Sequence, residues 1–143
     1  MANVFDVAQF ILDEQGELSA MKLQKLVYYS QAWHMVWADD QIFHNRIEAW
    51  KDGPVCPDLW REHANTFKVS HIAKGNSANL SKRERRTIKN VLKFYGKRSA
   101  QWLSDLTHSE DPWLDARRGA SAGDRSTAEI KPSAMHEYYS SLT

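Results

Sequence analysis

Residues 20–37 constrain the fold more than any other stretch. Leu23, Leu26, Val27 and Ser30 mark one helical face, yet Met21, Tyr28, Tyr29, Ala32, Trp33, Val36 and Trp37 fill most of the others. A helix that is apolar nearly all round must be covered on every side, by its own chain or by a partner. The chain has 143 residues, 42% of them hydrophobic. A domain of that length buries roughly 68–70% of the surface its unfolded form exposes, enough to cover such a helix internally. The segment is therefore expected at the centre of one compact, mainly α domain spanning residues 1–143. Ser19 is placed to cap it. The uncharged window 26–38 contains Gln31 and His34 and falls short of the ~20 residues of a membrane span.

The remaining elements are expected to wrap this helix. Asn3 as N-cap with Asp6 three residues on, then Val4, Val7, Ala8, Ile11 and Leu12, predict a helix over 4–14 ending at Gly16. Pro57 opens a helix over 57–67 with Leu59, Trp60, His63 and Phe67 on one face. Ser81 and Glu84 form a capping-box pattern before a helix over 82–96, with Ile88, Val91, Leu92 and Tyr95 inward. Trp102, Leu103 and Leu106 mark a short helix. Asp111 reads as an N-cap, with Pro112 opening a helix from 113 to 119. Pro132 opens a terminal helix presenting Met135, Tyr138, Tyr139 and Leu142. The total is about seven helices. Phe43, Ile47 and Ala49 alternate in a short extended piece before a turn at Asp52-Gly53-Pro54, and another extended piece is expected at 69–72. Together these allow at most a small two- or three-strand β element. Residues 119–127 read as a mobile loop. The tryptophans at 33, 50, 60, 102 and 113 are expected to build a shared core. Trp37 is the one to watch as a contact.

No catalytic or metal-binding pattern emerges. Cys56 is the only cysteine, so neither an intrachain disulfide nor a cysteine zinc site can form; it reads as a small buried hydrophobe. The first fifteen residues carry no basic residue, which is unlike a secretory leader, and a cytoplasmic protein is expected. His108 and Asp111 are expected to bond local backbone at a helix start rather than hold a metal. Asp58 and Glu62 lie four apart on one helix, with Arg61 and solvent as expected neighbours rather than a substrate. The formal charge of +1 argues against a dedicated nucleic-acid binder. It conceals a concentration of cations, however. Lys82, Arg83, Arg85, Arg86, Lys89, Lys93, Lys97 and Arg98 stand against one acid, Glu84, on the outer face of one helix. That face suits solvent, an acidic protein or phosphate.

Three blocks carry a resemblance. They are MKLQKLVYYSQAWH from Met21 to His34, IEAWKDGPV from Ile47 to Val55 running on through Pro57, Leu59 and Trp60, and LTHSEDPW from Leu106 to Trp113 with Ala116 and Arg117 after it. In this order and spacing the chain resembles the Panacea domain, the phage-associated GepA-like or SocA-like family, over about residues 4–140. The resemblance implies a non-enzymatic antitoxin without a cofactor, encoded beside its cognate toxin and neutralising it by direct binding, in a prophage or phage-defence setting. SocA-like members act instead as proteolytic adaptors that deliver the toxin to ClpXP. A nucleic-acid-binding phage-associated protein using the helix 82–98 is the third reading. No DNA-binding appendage is expected in 143 residues, and with it no autoregulation through DNA. The matching positions are Gln24, Lys25, Tyr28, Trp33, His34, Glu48, Ala49, Trp50, Gly53, Pro54, Val55, His108, Pro112 and Trp113. A scaffold shared by binders of many toxins implies that these are mostly structural. Toxin contacts are then expected at exposed positions: Arg61, Arg85, Arg86, Lys89, Lys93 and Trp37.

Overall fold

The computed structural model describes residues 1–121 and 123–143. Its elements run α1 (Val4–Gln15), β1 (Leu18–Ser19), α2 (Ala20–Ala38), β2 (Glu48–Trp50), β3 (Gly53–Val55), α3 (Pro57–His63), β4 (Lys68–Val69), α4 (Lys82–Tyr95), α5 (Ala100–His108), α6 (Asp111–Ala116) and α7 (Pro132–Ser140). Among the described residues there are thus seven α-helices, and the β structure is two antiparallel ribbons, β1 with β4 and β2 with β3. The expected helix starts are present with their chemistry. Asn3 and Asp6 exchange bonds in a capping box, as do Ser81 and Glu84, and the Ser19 hydroxyl accepts from the Lys22 N–H. Gly16 ends α1 at φ +79°. Among the described residues, no helix is long and apolar enough to cross a membrane.

α2 is the axis of the molecule, with α1, α4, α5, α7 and β3 packed around it. Its buried length carries polar side chains, and each has a partner. Gln31 Oε1 accepts from the Ile42 N–H (2.8 Å) while its Nε2 donates to the Phe43 carbonyl (2.7 Å). Gln24 Oε1 accepts from the Cys56 N–H at 2.9 Å. His34 Nδ1 lies 2.8 Å from the Thr87 hydroxyl of α4. The irregular run 41–47 and the β2–β3 ribbon are therefore held largely by side chains of one helix. Gly75 brings the following loop flat against α1, where a Cβ would run into the Phe5 carbonyl.

Several boundaries differ from the sequence expectation. α3 stops at His63 instead of 67, because Asn65 turns through φ +68° and the chain then pairs β4 with β1. Phe67 is consequently exposed, although its carbonyl accepts from the Ala20 N–H. The hairpin turn falls on Lys51-Asp52, and Gly53 and Pro54 already lie in β3. α6 is capped by Glu110 rather than Asp111 and ends at Ala116. Leu142 lies beyond α7 and is exposed. The 119–127 loop includes Ala122, which lies outside the described residues. Of the five tryptophans assigned to the core, Trp113 is buried and Trp33 and Trp50 are half-buried, but Trp60 and Trp102 are 41% and 38% exposed. Trp60 meets Trp50 edge-on, 5.6 Å between ring centroids, and Trp102 lies under the Arg98 guanidinium, 4.5 Å from the ring centroid.

A buried carboxylate ties α7 to the axis. Tyr29 of α2 and Tyr139 of α7 both donate to Glu110 Oε1 at 2.7 Å, and the Tyr28 and Tyr139 hydroxyls are 3.0 Å apart. Burial raises the Glu110 pKa, and the two tyrosine bonds only partly oppose it. A raised carboxyl pKa favours the folded state below the ordinary carboxyl range, and that contribution is lost as pH rises through the folded value. We therefore expect the stability of the parent protein relative to Glu110→Gln to increase as pH falls from about 7 to about 4. Denaturant unfolding of both proteins across that range checks the sign.

Candidate functional site

The three sequence blocks converge on the β2–β3 ribbon. Lys25 is only 1% exposed, with its ammonium donating to the Pro54 carbonyl at 3.2 Å. Burial holds its pKa down to about 8, while Asp52 pulls the other way. Gly53 sits directly on the lysine stem at φ +120°; a Cβ there would lie 2.5 Å from Lys25 Cε and 2.9 Å from Thr107 Oγ1. From the third block, Trp113 Nε1 donates to the Trp50 carbonyl (2.8 Å) and Arg117 to that of Ala49 (2.9 Å). The Arg117 guanidinium also covers the Trp113 ring at 4.8 Å. Pro112 and Val55 are buried. Glu48 accepts from Trp50 Nε1 and from Arg46, both at 2.8 Å. Tyr28 reaches the tyrosine cluster around Glu110 through Tyr139, and it also borders Pro54 and Val55 of the ribbon.

Among the described residues, the His108 and Asp111 side chains do not bond the local backbone as expected. The His108 ring stacks on Trp113, 4.0 Å between centroids, and its Nε2 is buried without a hydrogen-bond partner among the described residues. Burial lowers the pKa of His34, His63 and His108 alike. Asp58 and Glu62 do not form a pair: Asp58 holds Arg61 and Asn45, whereas Glu62 meets Lys74 at 3.0 Å. Cys56 is buried and its thiol is pushed up to about 11, so it stays protonated at neutral pH.

Beside the ribbon opens a cavity of about 590 Å³ between α2, the hairpin, α3 and residues 125–127. Gln24, Lys25, Trp50, Val55, Trp60 and His63 line it. The Gln24 amide nitrogen lies 2.9 Å from His63 Nε2 in its wall. Sequence reasoning missed this cleft. Its only trace was a pair of tryptophans, Trp50 and Trp60, on either side of the Gly53-Pro54 pair.

A second feature lies where α2 meets α4. Trp37 is 46% exposed and stacks on Trp33 at 5.4 Å. Trp33 Nε1 donates to the Tyr95 hydroxyl at 3.0 Å, and Phe94, 65% exposed, packs edge-on against Tyr95 at 4.8 Å. These four rings form one strip across the two helices, open to solvent at both ends. Arg86, Lys89 and Lys93 are exposed on α4, and no ion pair involves them among the described residues. Arg85 departs from its assignment as an outward contact. It is half-buried and donates to the Ser77 carbonyl at 3.1 Å, which fastens the preceding loop. Arg61 lies elsewhere, bound to Asp58 on α3.

The chain matches the family described as Antitoxin SocA-like, Panacea domain, over residues 23–114. That match is narrower than the 4–140 stretch over which the sequence resemblance extends, and it leaves out α1 and α7. No curated protein and no solved structure matches the chain.

The Lys25–Gly53 contact generates a direct test. Gly53→Ala combines an unfavourable positive φ with a collision against a packed lysine, and we expect a loss of about 1–3 kcal/mol of stability. Gly119→Ala, also at positive φ but with open space around the added carbon, separates the two causes. A smaller loss at 119 in urea unfolding assigns the remainder to Lys25 and Thr107.

Proposed function

Because the chain belongs to the SocA-like, Panacea-domain antitoxin family, we propose that it neutralises a cognate protein toxin by binding it directly through the open α2–α4 face. The observation that carries this reading is the strip Trp37–Trp33–Tyr95–Phe94, with Arg83 donating to the Trp37 carbonyl and Arg86, Lys89 and Lys93 exposed on the same helix. Exposed tryptophan and arginine are the residue types that dominate binding energy at protein interfaces. An unpaired cationic row speeds and orients encounter with an acidic surface. The toxin is thus a protein with an acidic patch around an apolar centre. It is encoded by the adjacent gene and blocked when its active or target-binding face is covered. The 143 residues act as one domain in this role, without catalysis.

The test is Arg86→Glu, Lys89→Glu and Lys93→Glu together, with Trp37→Ala as a separate variant. All four side chains are exposed, so the unfolding midpoint should move by no more than about 0.5 kcal/mol equivalent per site. Growth rescue in cells producing the neighbouring gene's product, and co-purification of the pair, should both fall. Affinity unchanged in both variants would assign this face to solvent. Rescue that persists with no association of the purified pair would favour the adaptor reading, in which ClpXP removes the toxin. Binding to duplex DNA that weakens steeply with salt would favour the nucleic-acid reading.

A further inference from the structure

The cleft beside the β2–β3 ribbon has no role in that interface. Met21, which lines it, and Trp37, at the centre of the open face, lie on opposite sides of α2 at about 3.6 residues per turn. Its volume of about 590 Å³ falls within the range of small-molecule sites, about 300–1,000 Å³. Trp50 and Trp60 form an aromatic corner, 5.6 Å between ring centroids and inclined at 61°. Charge around the cleft is unbalanced. Asp52 faces the buried Lys25 electrostatically, but Lys51 and Arg125 line the cleft with no ion-pair partner among the described residues. His63 adds no charge at neutral pH, since burial lowers its pKa.

The backbone at this site is already committed. The Pro54 carbonyl accepts from the Lys25 ammonium and the Cys56 N–H donates to Gln24 Oε1. The outer edge of β3 therefore has no free groups there with which to add a peptide strand. What remains is side-chain chemistry: flat apolar walls with a cationic rim.

We propose that this cleft is a binding site for a small organic anion, with an aromatic body against Trp50 and Trp60 and its anionic group between Lys51 and Arg125. The site is independent of the toxin interface.

Anilinonaphthalene sulfonate has this chemistry, and phenylnaphthylamine is its uncharged counterpart. Titration of the folded protein should give one saturable site for the sulfonate. Lys51→Glu and Arg125→Glu should each weaken the sulfonate about tenfold and leave the neutral dye unchanged. Trp60→Ala should weaken both dyes by about tenfold or more. Trp37→Ala, on the other face, should weaken neither. The three cleft side chains are exposed, so an unchanged thermal transition is expected for each variant and is measured alongside. Absence of saturable binding would overturn the site. So would binding that survives Trp60→Ala or is lost in Trp37→Ala. Sulfonate affinity indifferent to both charge reversals would overturn the anionic class.

Discussion

The segment from residue 42 to residue 56, and what packs on it, depends on how α2 satisfies its own polar side chains. A helix enclosed on all sides cannot carry an unpaired amide, because a buried polar group without a partner costs about 1–3 kcal/mol. Gln24 and Gln31 meet that requirement by bonding main-chain groups of the segment between residues 42 and 56. A glutamine side chain offers one acceptor and a donor pair, the same functions as a peptide unit. Here it replaces the neighbouring strand that an irregular segment would otherwise need. Lys25 does the same with an ammonium, and its charge is tolerated because a carbonyl and Asp52 lie close by. These three side chains fix one flank of the ribbon, and Ser104, Trp113 and Arg117 hold the other by bonds to the Asp52, Trp50 and Ala49 carbonyls.

Much of the helical frame was legible in the residues. Caps at Asn3, Ser19 and Ser81 are local chemistry, and local chemistry reads directly from sequence. The near-uniform hydrophobicity of residues 20–37 announced a central helix, and the structure encloses it. The misreadings share a different cause. Phe67 and Leu142 fit helical spacing, but α3 ends at His63, where the chain turns at left-handed Asn65 and pairs β4 with β1, and α7 ends at Ser140; Trp60 lies within α3 yet on its exposed side. Arg85 looked like one more outward cation among eight. Only the loop carrying Ser77, brought close by Gly75 on α1, reveals its inward turn. Asp111 was displaced as N-cap by Glu110, whose carboxylate is drawn inward to two tyrosines from elements far away in the chain.

The tryptophans show the limit of composition as a guide. Burial of a large aromatic is strongly favourable, so a chain rich in tryptophan suggests a tryptophan-rich core. This chain divides them differently. Trp113 is interior, Trp33 and Trp50 straddle core and surface, and Trp37, Trp60 and Trp102 face outward. The near-neutral total charge is equally uninformative by itself, since it averages a cationic helix with acids distributed over the rest. Both quantities become meaningful only once position is known.

The arrangement around Glu110 bears on where this protein can be divided. The segment recognisable as family, residues 23–114, contains Glu110 and Tyr29 but not Tyr139, which supplies the second hydroxyl and packs against Tyr28, Tyr29 and Trp33. Nor does it contain α1, whose Asp6 accepts from the Asn76 N–H and whose backbone receives Gly75. A fragment cut at the recognisable limits would begin inside the central helix and leave a half-solvated carboxylate at its far end. The part of the chain that sequence identifies and the part that closes its own buried hydrogen bonds have different borders. Shared ancestry marks the former, and hydrogen-bond closure marks the latter.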